Sequence, residues 1–287
     1  MSTPDPRFVA FDAPLRIGGV TLAVRNLSLL TDYYRDTLGL DVADATGERA
    51  ILASDGEAIL TLVHTPDAAN DRRAEPGLFH TAFVVPSHPL LAAWLARAAD
   101  RGLRLSGASN HKVSEALYFS DPEGNGIEVY SDRPPATWQR TGEQYVMTTD
   151  RLDLSGLLAE AAGAIGAPIP IRVGHIHLRG GDLAAASGFY RAKLGLALTH
   201  ERPGAQWYGA GTYHHHVAVN TWSSSGAARR SAGQLGLLGY ELVARDPEAF
   251  ARTAERIGTA GTPRGETLVF EDPSGIPVTL RARPAVC

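Results

Sequence analysis

The feature that most constrains the fold is an internal repeat. Tyr33-Tyr34-Arg35-Asp36-Thr37-Leu38-Gly39-Leu40 returns as Phe189-Tyr190-Arg191-Ala192-Lys193-Leu194-Gly195-Leu196, and at the same offset Val20-Thr21-Leu22-Ala23-Val24 is matched by Ile176-His177-Leu178-Arg179-Gly180. Asn26-Leu27 and Asp182-Leu183 follow these segments, each offering a short polar side chain that can cap the next helix. The repeated unit is a strand, a turn and a helix, and such units must bury their apolar faces against one another. Farther on, Ser120-Asp121-Pro122-Glu123-Gly124 answers Glu271-Asp272-Pro273-Ser274-Gly275. In this turn signature proline presets φ and glycine takes the strained position.

Each copy divides again. His80-Thr81-Ala82-Phe83-Val84-Val85 alternates like a half-buried strand, and Leu91, Trp94, Leu95 and Ala98 mark a helical face that ends near Gly102. In the second copy the equivalent strand is Gly239 to Ala244, with a helix from about Pro247 to Ile257. Four modules result, starting near Ile17, Leu78, Val173 and Leu237. The expected class is α+β: four βαβββ modules in two tandem domains, residues 15–133 and 172–283, with curved mixed sheets. Residues 1–14 form a tail. Residues 134–171 carry Pro134-Pro135, Pro168, Pro170 and an amphipathic helix from about Leu152 to Ala162, which is linker composition.

Composition narrows the partners. A chain of 287 residues can bury two ordinary cores, and its formal net charge of -4 gives no electrostatic reason to bind nucleic acid or an anionic membrane. Nowhere do eighteen apolar residues run together, and residues 1–13 are polar, so neither membrane insertion nor export is expected. The single cysteine is Cys287, which excludes an internal disulfide and makes a thiolate metal site an unlikely design. A reducing, cytoplasmic setting is expected.

Four motifs carry a resemblance: the two FYR-type elements, the run Ser120 to Tyr130, the strand Gly174-His175-Ile176-His177-Leu178, and Tyr213-His214-His215-His216. Together they resemble the vicinal-oxygen-chelate superfamily of glyoxalases, bleomycin resistance proteins and extradiol dioxygenases, and most of all its two-domain catechol 2,3-dioxygenase branch. The likeness runs from about Ile17 to Arg281 and includes Trp138-Gln139-Arg140 and Tyr145-Val146-Met147-Thr148-Thr149. It implies glyoxalase-like domains whose first and last strands present metal ligands to the hollow of a curved sheet. The first-strand positions are Gly19, His80, His175 and Gly239; the last-strand positions are Leu60, Glu128, one of His214 to His216, and Thr279.

Only modules two and three hold candidate ligands, so the resemblance implies one composite site in which those modules pair. His80, Glu128 and His175 would converge there with His216 or His214, and they contain the two-histidine, one-carboxylate face that suits Fe(II). Mn, Zn or Ni suit the same donors. The pattern departs from dioxygenases whose second domain carries the whole triad, because Gly239 and Thr279 stand in place of its later histidine and glutamate. Strand alternation points His214 and His216 into the hollow and His215 to the apolar side, whereas a count from the preceding glycine, Gly124 to Glu128 against Gly211 to His215, favours His215. Alternation is weighted more heavily.

The resemblance further implies a proton-carrying role for His111. His177 shares a face with His175 and is a substrate-contacting candidate, and Tyr118 and Tyr130 offer hydroxyls to a substrate oxygen. Expected partners are a catechol-like aromatic and dioxygen, and the resemblance adds a second copy of the chain, since superfamily members often dimerise. Two rival functions remain open: a glyoxalase-type isomerase or lyase with four ligands to Ni, Zn or Co, and a metal-free binding or resistance protein. The remaining features read as structural. Tyr33, Tyr34, Phe189 and Tyr190 belong to the helix-sheet core, Glu123 is solvated, and Arg229-Arg230 sits in an exposed loop.

Overall fold

A computed structural model describes residues 7–163, 166 and 168–283, so Cys287 lies outside the described residues. The first strands of the four modules are Leu15–Val24, Gly77–Val85, Arg172–Arg179 and Gly236–Ala244. Each leads into a helix: Leu27–Leu38, His88–Asp100, Leu183–Ser187 with a wider turn continuing to Lys193, and Pro247–Ile257. The caps form as the sequence implies, with Asn26 Oδ1 accepting from Leu29 N–H at 3.1 Å and Asp182 Oδ1 from Ala184 N–H at 2.7 Å. Leu30, Tyr34 and Leu38, four residues apart along the first helix, form its buried face.

The modules assemble across the two copies. An eight-stranded sheet joins modules four and one where Gly236–Ala244 runs antiparallel to Leu15–Val24, and a nine-stranded sheet joins modules two and three where Gly77–Val85 runs antiparallel to Arg172–Arg179. Within a module the last strand lies parallel to the first, as Gly126–Asp132 does beside Gly77–Val85. The outer faces of both sheets and the helices share one core that includes Leu22, Leu62, Phe83, Val129, Ile176, Val217, Leu242 and Leu280. The tyrosines of the repeated element tie the sheets together. Tyr34 Oη donates to Asp121 Oδ2 at 2.9 Å, from module one to the turn of module two, and Tyr190 Oη donates to Asp272 Oδ2 at 3.1 Å, from module three to the turn of module four.

The segment between the copies does more than link. After a hairpin of Arg140–Thr141 and Gln144–Tyr145, Asp150–Arg151 pairs with Gly107–Asn110 and closes the edge of the nine-stranded sheet. The amphipathic helix is Leu154–Ala159 with a tighter turn to Gly163, packed on the helix of module two. Two surface expectations are corrected. Arg230 is half-buried, bonded to Asp71 and to the Pro76 and Leu235 carbonyls, and Glu123 accepts from the backbone of Arg25 and Asn26 at the start of the first helix. Among the described residues no helix is long and apolar enough to cross a membrane.

Candidate active site

Strand register brings the polar residues of modules two and three into one patch. Tyr118 lies opposite Glu128, Glu128 opposite Ala82, and Ala82 opposite His175, so these four form one row across four strands. His80 and His177 face each other two residues along, and side chains two apart share a face. Gly174 makes the joint possible, because a Cβ there would lie 1.9 Å from the Tyr130 hydroxyl oxygen. A bulge at this point shifts the register between Val173 and His175.

His80, Glu128 and His175 converge, each offering a ligand atom within 4.8 Å of the others. Glu128 Oε2 is 3.0 Å from His80 Nε2 and 3.3 Å from His175 Nε2, and all three side chains are buried. Burial pushes the Glu128 carboxyl up, but His175 and His80 beside it reverse that and hold it well below the usual carboxylate range. Burial lowers His175, favouring the neutral ring that can act as a ligand. His80 Nε2 and His175 Nδ1 make no hydrogen bond to a described residue. His80 Nε2 faces the Glu128 carboxylate at 3.0 Å, and a divalent cation held among His80, Glu128 and His175 would take its lone pair together with that of His175 Nε2.

The histidine triple is where the sequence-based expectation is corrected. The strand of module three spans Val217–Asn220, so all three histidines precede it and alternation does not govern them. Glu128 stands opposite the residue two beyond His80; two beyond His175 is His177, and its partner is Ala218. Ala218 therefore takes the last-strand position in module three, and by the same register Thr61, not Leu60, takes it in module one. His215 lines the cavity. His214 turns to Asp132, with Nε2 at 2.7 Å from Oδ1, and His216 is held by backbone at both ring nitrogens, Ala210 N–H at 3.1 Å and the Ala10 carbonyl at 3.1 Å. His214 and His216 thus lie outside the converging group, and His215, assigned to the apolar side, faces the hollow.

A cavity of about 420 Å³ opens from the triad toward solvent. His111, Tyr118 and His177 line it as expected, whereas Tyr130 is buried behind it with its hydroxyl 2.6 Å from that of Tyr213. His111 bridges two walls, Nδ1 at 2.6 Å from the Thr148 carbonyl and Nε2 at 2.6 Å from the Tyr118 hydroxyl. Asn220 Nδ2 donates to His177 Nε2 at 3.0 Å. Phe8 and Phe11 form a separate apolar cluster with Trp138, Tyr145, Tyr213, Ala82, Val84 and Tyr130. Met147, Thr148 and Thr149 of the connecting segment form a side wall. His200, Arg202, Trp207 and Trp222 also line the cavity and were not singled out from the sequence. The available signal was the two-residue spacing of His200 and Arg202 on one strand face, next to an aromatic hairpin partner.

Comparison with known proteins agrees with this architecture. The model of the Glyoxalase/Bleomycin resistance protein/Dioxygenase superfamily matches residues 16–129 and 172–280. The chain is 38% identical over 258 residues to a catechol-2,3-dioxygenase of Bacillus subtilis, covering 88% of this chain and 90% of that protein. It is 28% identical over 162 residues to biphenyl-2,3-diol 1,2-dioxygenase 3 of Rhodococcus globerulus, covering 54% of this chain and 84% of that protein. Among solved structures, glyoxalase I from Zea mays shares the fold with a TM-score of 0.57 at 17% identity, over 94% of this chain and 93% of that one.

Proposed function

Because the chain belongs to the glyoxalase/bleomycin resistance protein/dioxygenase superfamily, we propose that it is an extradiol dioxygenase that opens a catechol-like ring with dioxygen at one metal held by His80, Glu128 and His175. The observation that carries this reading is the donor set. Two imidazoles and one carboxylate converge, and a face of three ligands suits Fe(II) while leaving positions for both substrate oxygens and dioxygen. A four-ligand isomerase has less support, because Ala218 stands where a fourth ligand belongs and His214 and His216 are bonded elsewhere. A metal-free binding protein would bury the Glu128 carboxylate between two imidazoles with no cation to bring the three donors together.

When bound, the metal supplies the electronic coupling between aromatic diol and dioxygen that side chains lack. The other tasks fall to the chain. The Thr148 carbonyl only accepts, so His111 donates to it from Nδ1, and its Nε2 meets the Tyr118 hydroxyl. The Tyr118 hydroxyl, which His111 holds against the cavity, is placed to bond a substrate oxygen. Across the site, His214 donates from Nε2 to Asp132, which leaves its Nδ1 to accept from His215 Nδ1–H at 2.8 Å. His215 is left with an Nε2 lone pair, and its ring lies 4.2 Å from that of His175. Burial, with His175 and His214 nearby, holds His215 well below the usual imidazole range, so it meets the substrate neutral and offers its Nε2 lone pair to a catechol hydroxyl. A lone cysteine fits work in the reducing cytoplasm, where Fe(II) persists.

The test is anaerobic metal analysis of the protein and of Glu128→Ala and His175→Ala, with oxygen uptake on catechol after Fe(II) reconstitution. Loss of the metal and of uptake in both variants is expected. Metal retained in both variants would refute the site, and a metal-loaded wild type that never consumes oxygen would refute the activity.

A further inference from the structure

The outer end of the cavity has its own chemistry. The ring of His80 contacts that of His177 at 4.8 Å, His177 contacts Trp222 at 5.6 Å, and the Arg202 guanidinium lies 5.3 Å from the Trp222 ring centre and 5.1 Å from that of Trp207. An aromatic wall thus leads in short steps from the candidate metal ligands to a fixed cation. Arg202 donates to Thr149 Oγ1 at 3.1 Å and has no ion pair among the described residues. The carboxylates that flank it in sequence and space are engaged elsewhere, Glu201 with the Gln144 and Gln206 amides and Asp150 with Lys112 at 2.9 Å. Arg73 lines the same rim, also without an ion pair among the described residues. Arg179, a third lining arginine, shares Asp71 with Arg230, and among the described residues Glu128 is the one acidic side chain lining the cavity. Trp222 and Phe79 are 47% and 36% exposed, large apolar surfaces left open at an entrance that carries two uncompensated positive charges.

We propose that this rim selects catechols whose ring bears a side chain ending in a carboxylate, which Arg202 receives between Trp207 and Trp222 while Arg73 adds to the attraction. The proposal rests on the dioxygenase reading for the catechol and on the rim alone for the carboxylate. A guanidinium stacked between aromatic faces is oriented before the ligand arrives and is a better carboxylate receptor than a mobile surface charge. Neutral catechols fit the same walls without that contact.

The experiment compares 3,4-dihydroxyphenylacetate with its methyl ester, which keeps the catechol and the size but removes the charge. Anaerobic titration of both onto the metal-loaded protein gives a binding preference, and oxygen uptake gives cleavage. The acid is expected to bind about tenfold more tightly than the ester, a preference that weakens as salt is raised and falls most of the way to parity in Arg202→Gln. Equal binding of acid and ester by the wild type, or a preference that survives Arg202→Gln and high salt, overturns the proposal. Cleavage of neither compound despite a salt-sensitive preference for the acid overturns the dioxygenase reading and leaves the carboxylate site standing.

Discussion

At the first-strand positions of modules two and three stand His80 and His175; at those of modules one and four stand Gly19 and Gly239. The carboxylates differ as well. In the eight-stranded sheet Glu241 is bonded to Arg281 at 2.8 Å, and Glu57 to Arg16 at 2.6 Å and Arg172 at 3.3 Å. Glu128, in the other sheet, meets imidazole nitrogens. A carboxylate facing guanidinium N–H groups has its lone pairs satisfied and its charge cancelled, so it has little left to offer a cation. One facing imidazole nitrogens shares a pocket of donors that a cation can draw together. The same module therefore yields a closed ion-pair network in one sheet and an open donor set in the other.

The largest expected effect separates these two kinds of carboxylate. Glu128→Gln keeps the volume and removes the charge, and it should weaken metal affinity by at least about 100-fold and abolish oxygen uptake. Glu241→Gln should leave the metal content at one ion per chain and show its effect only in unfolding. If the two variants hold metal equally well, the contrast between the hollows has no chemical meaning.

The next effect sharpens the assignment within the nine-stranded sheet. His215→Ala should retain the metal and lose about 10²- to 10⁴-fold in kcat/KM, the usual worth of a positioned base. Asp132→Asn should lose less, because it disturbs the tautomer of His214 and leaves His215 in place. Metal loss in His215→Ala would make it a ligand and bring back the four-ligand chemistry.

A third, smaller effect tests whether the glycine positions are truly closed. A Cβ at Gly239 would stand 2.8 Å from the Pro277 carbonyl oxygen and 3.4 Å from Pro277 Cβ. Gly239→Ala should therefore cost about 2 kcal/mol in denaturant unfolding, with metal content unchanged. An unaltered midpoint would show that the first hollow has room for side chains.

Much of this contrast was legible in the sequence, because the repeat aligned the modules and showed donors only in the second and third. That distribution was enough to pair those modules across the two copies. The choice among the three histidines was not legible. Alternation presumes a continuous strand, and residues 214–216 bend ahead of one that begins at Val217. The first strand of module one is also irregular between Ile17 and Val20, and this is where the reading slipped from Thr61 to Leu60. Phe8, Phe11 and the hairpin of Arg140–Thr141 and Gln144–Tyr145 sit in stretches without periodicity, so nothing in their order announced that Phe8, Phe11 and Tyr145 join one apolar cluster.

The smallest effect compares the turns of the two sheets. Asp121 accepts from the Glu123 and Asn125 backbone and, at 2.8 Å, from the Asn125 side chain. Asp272 accepts from the Ser274 and Ile276 backbone and from Tyr190, but Ile276 replaces the asparagine and supplies no amide. Burial, incompletely offset by these donors, pushes Asp272 up to about 6 from 3.8. A carboxyl with a raised folded pKa keeps its proton in the folded state after the unfolded chain has released it. Stability then falls as pH rises from about 4 to about 6, and the penalty is fully present above that window. Asp272→Asn removes the titration while keeping an oxygen for both backbone donors and an amide for Tyr190. Wild type should therefore lose about 1 kcal/mol relative to the variant between about pH 5 and about pH 6 in chemical unfolding. Parallel pH curves for the two proteins would show that the missing amide donor leaves the Asp272 turn no less satisfied than its counterpart at Asp121.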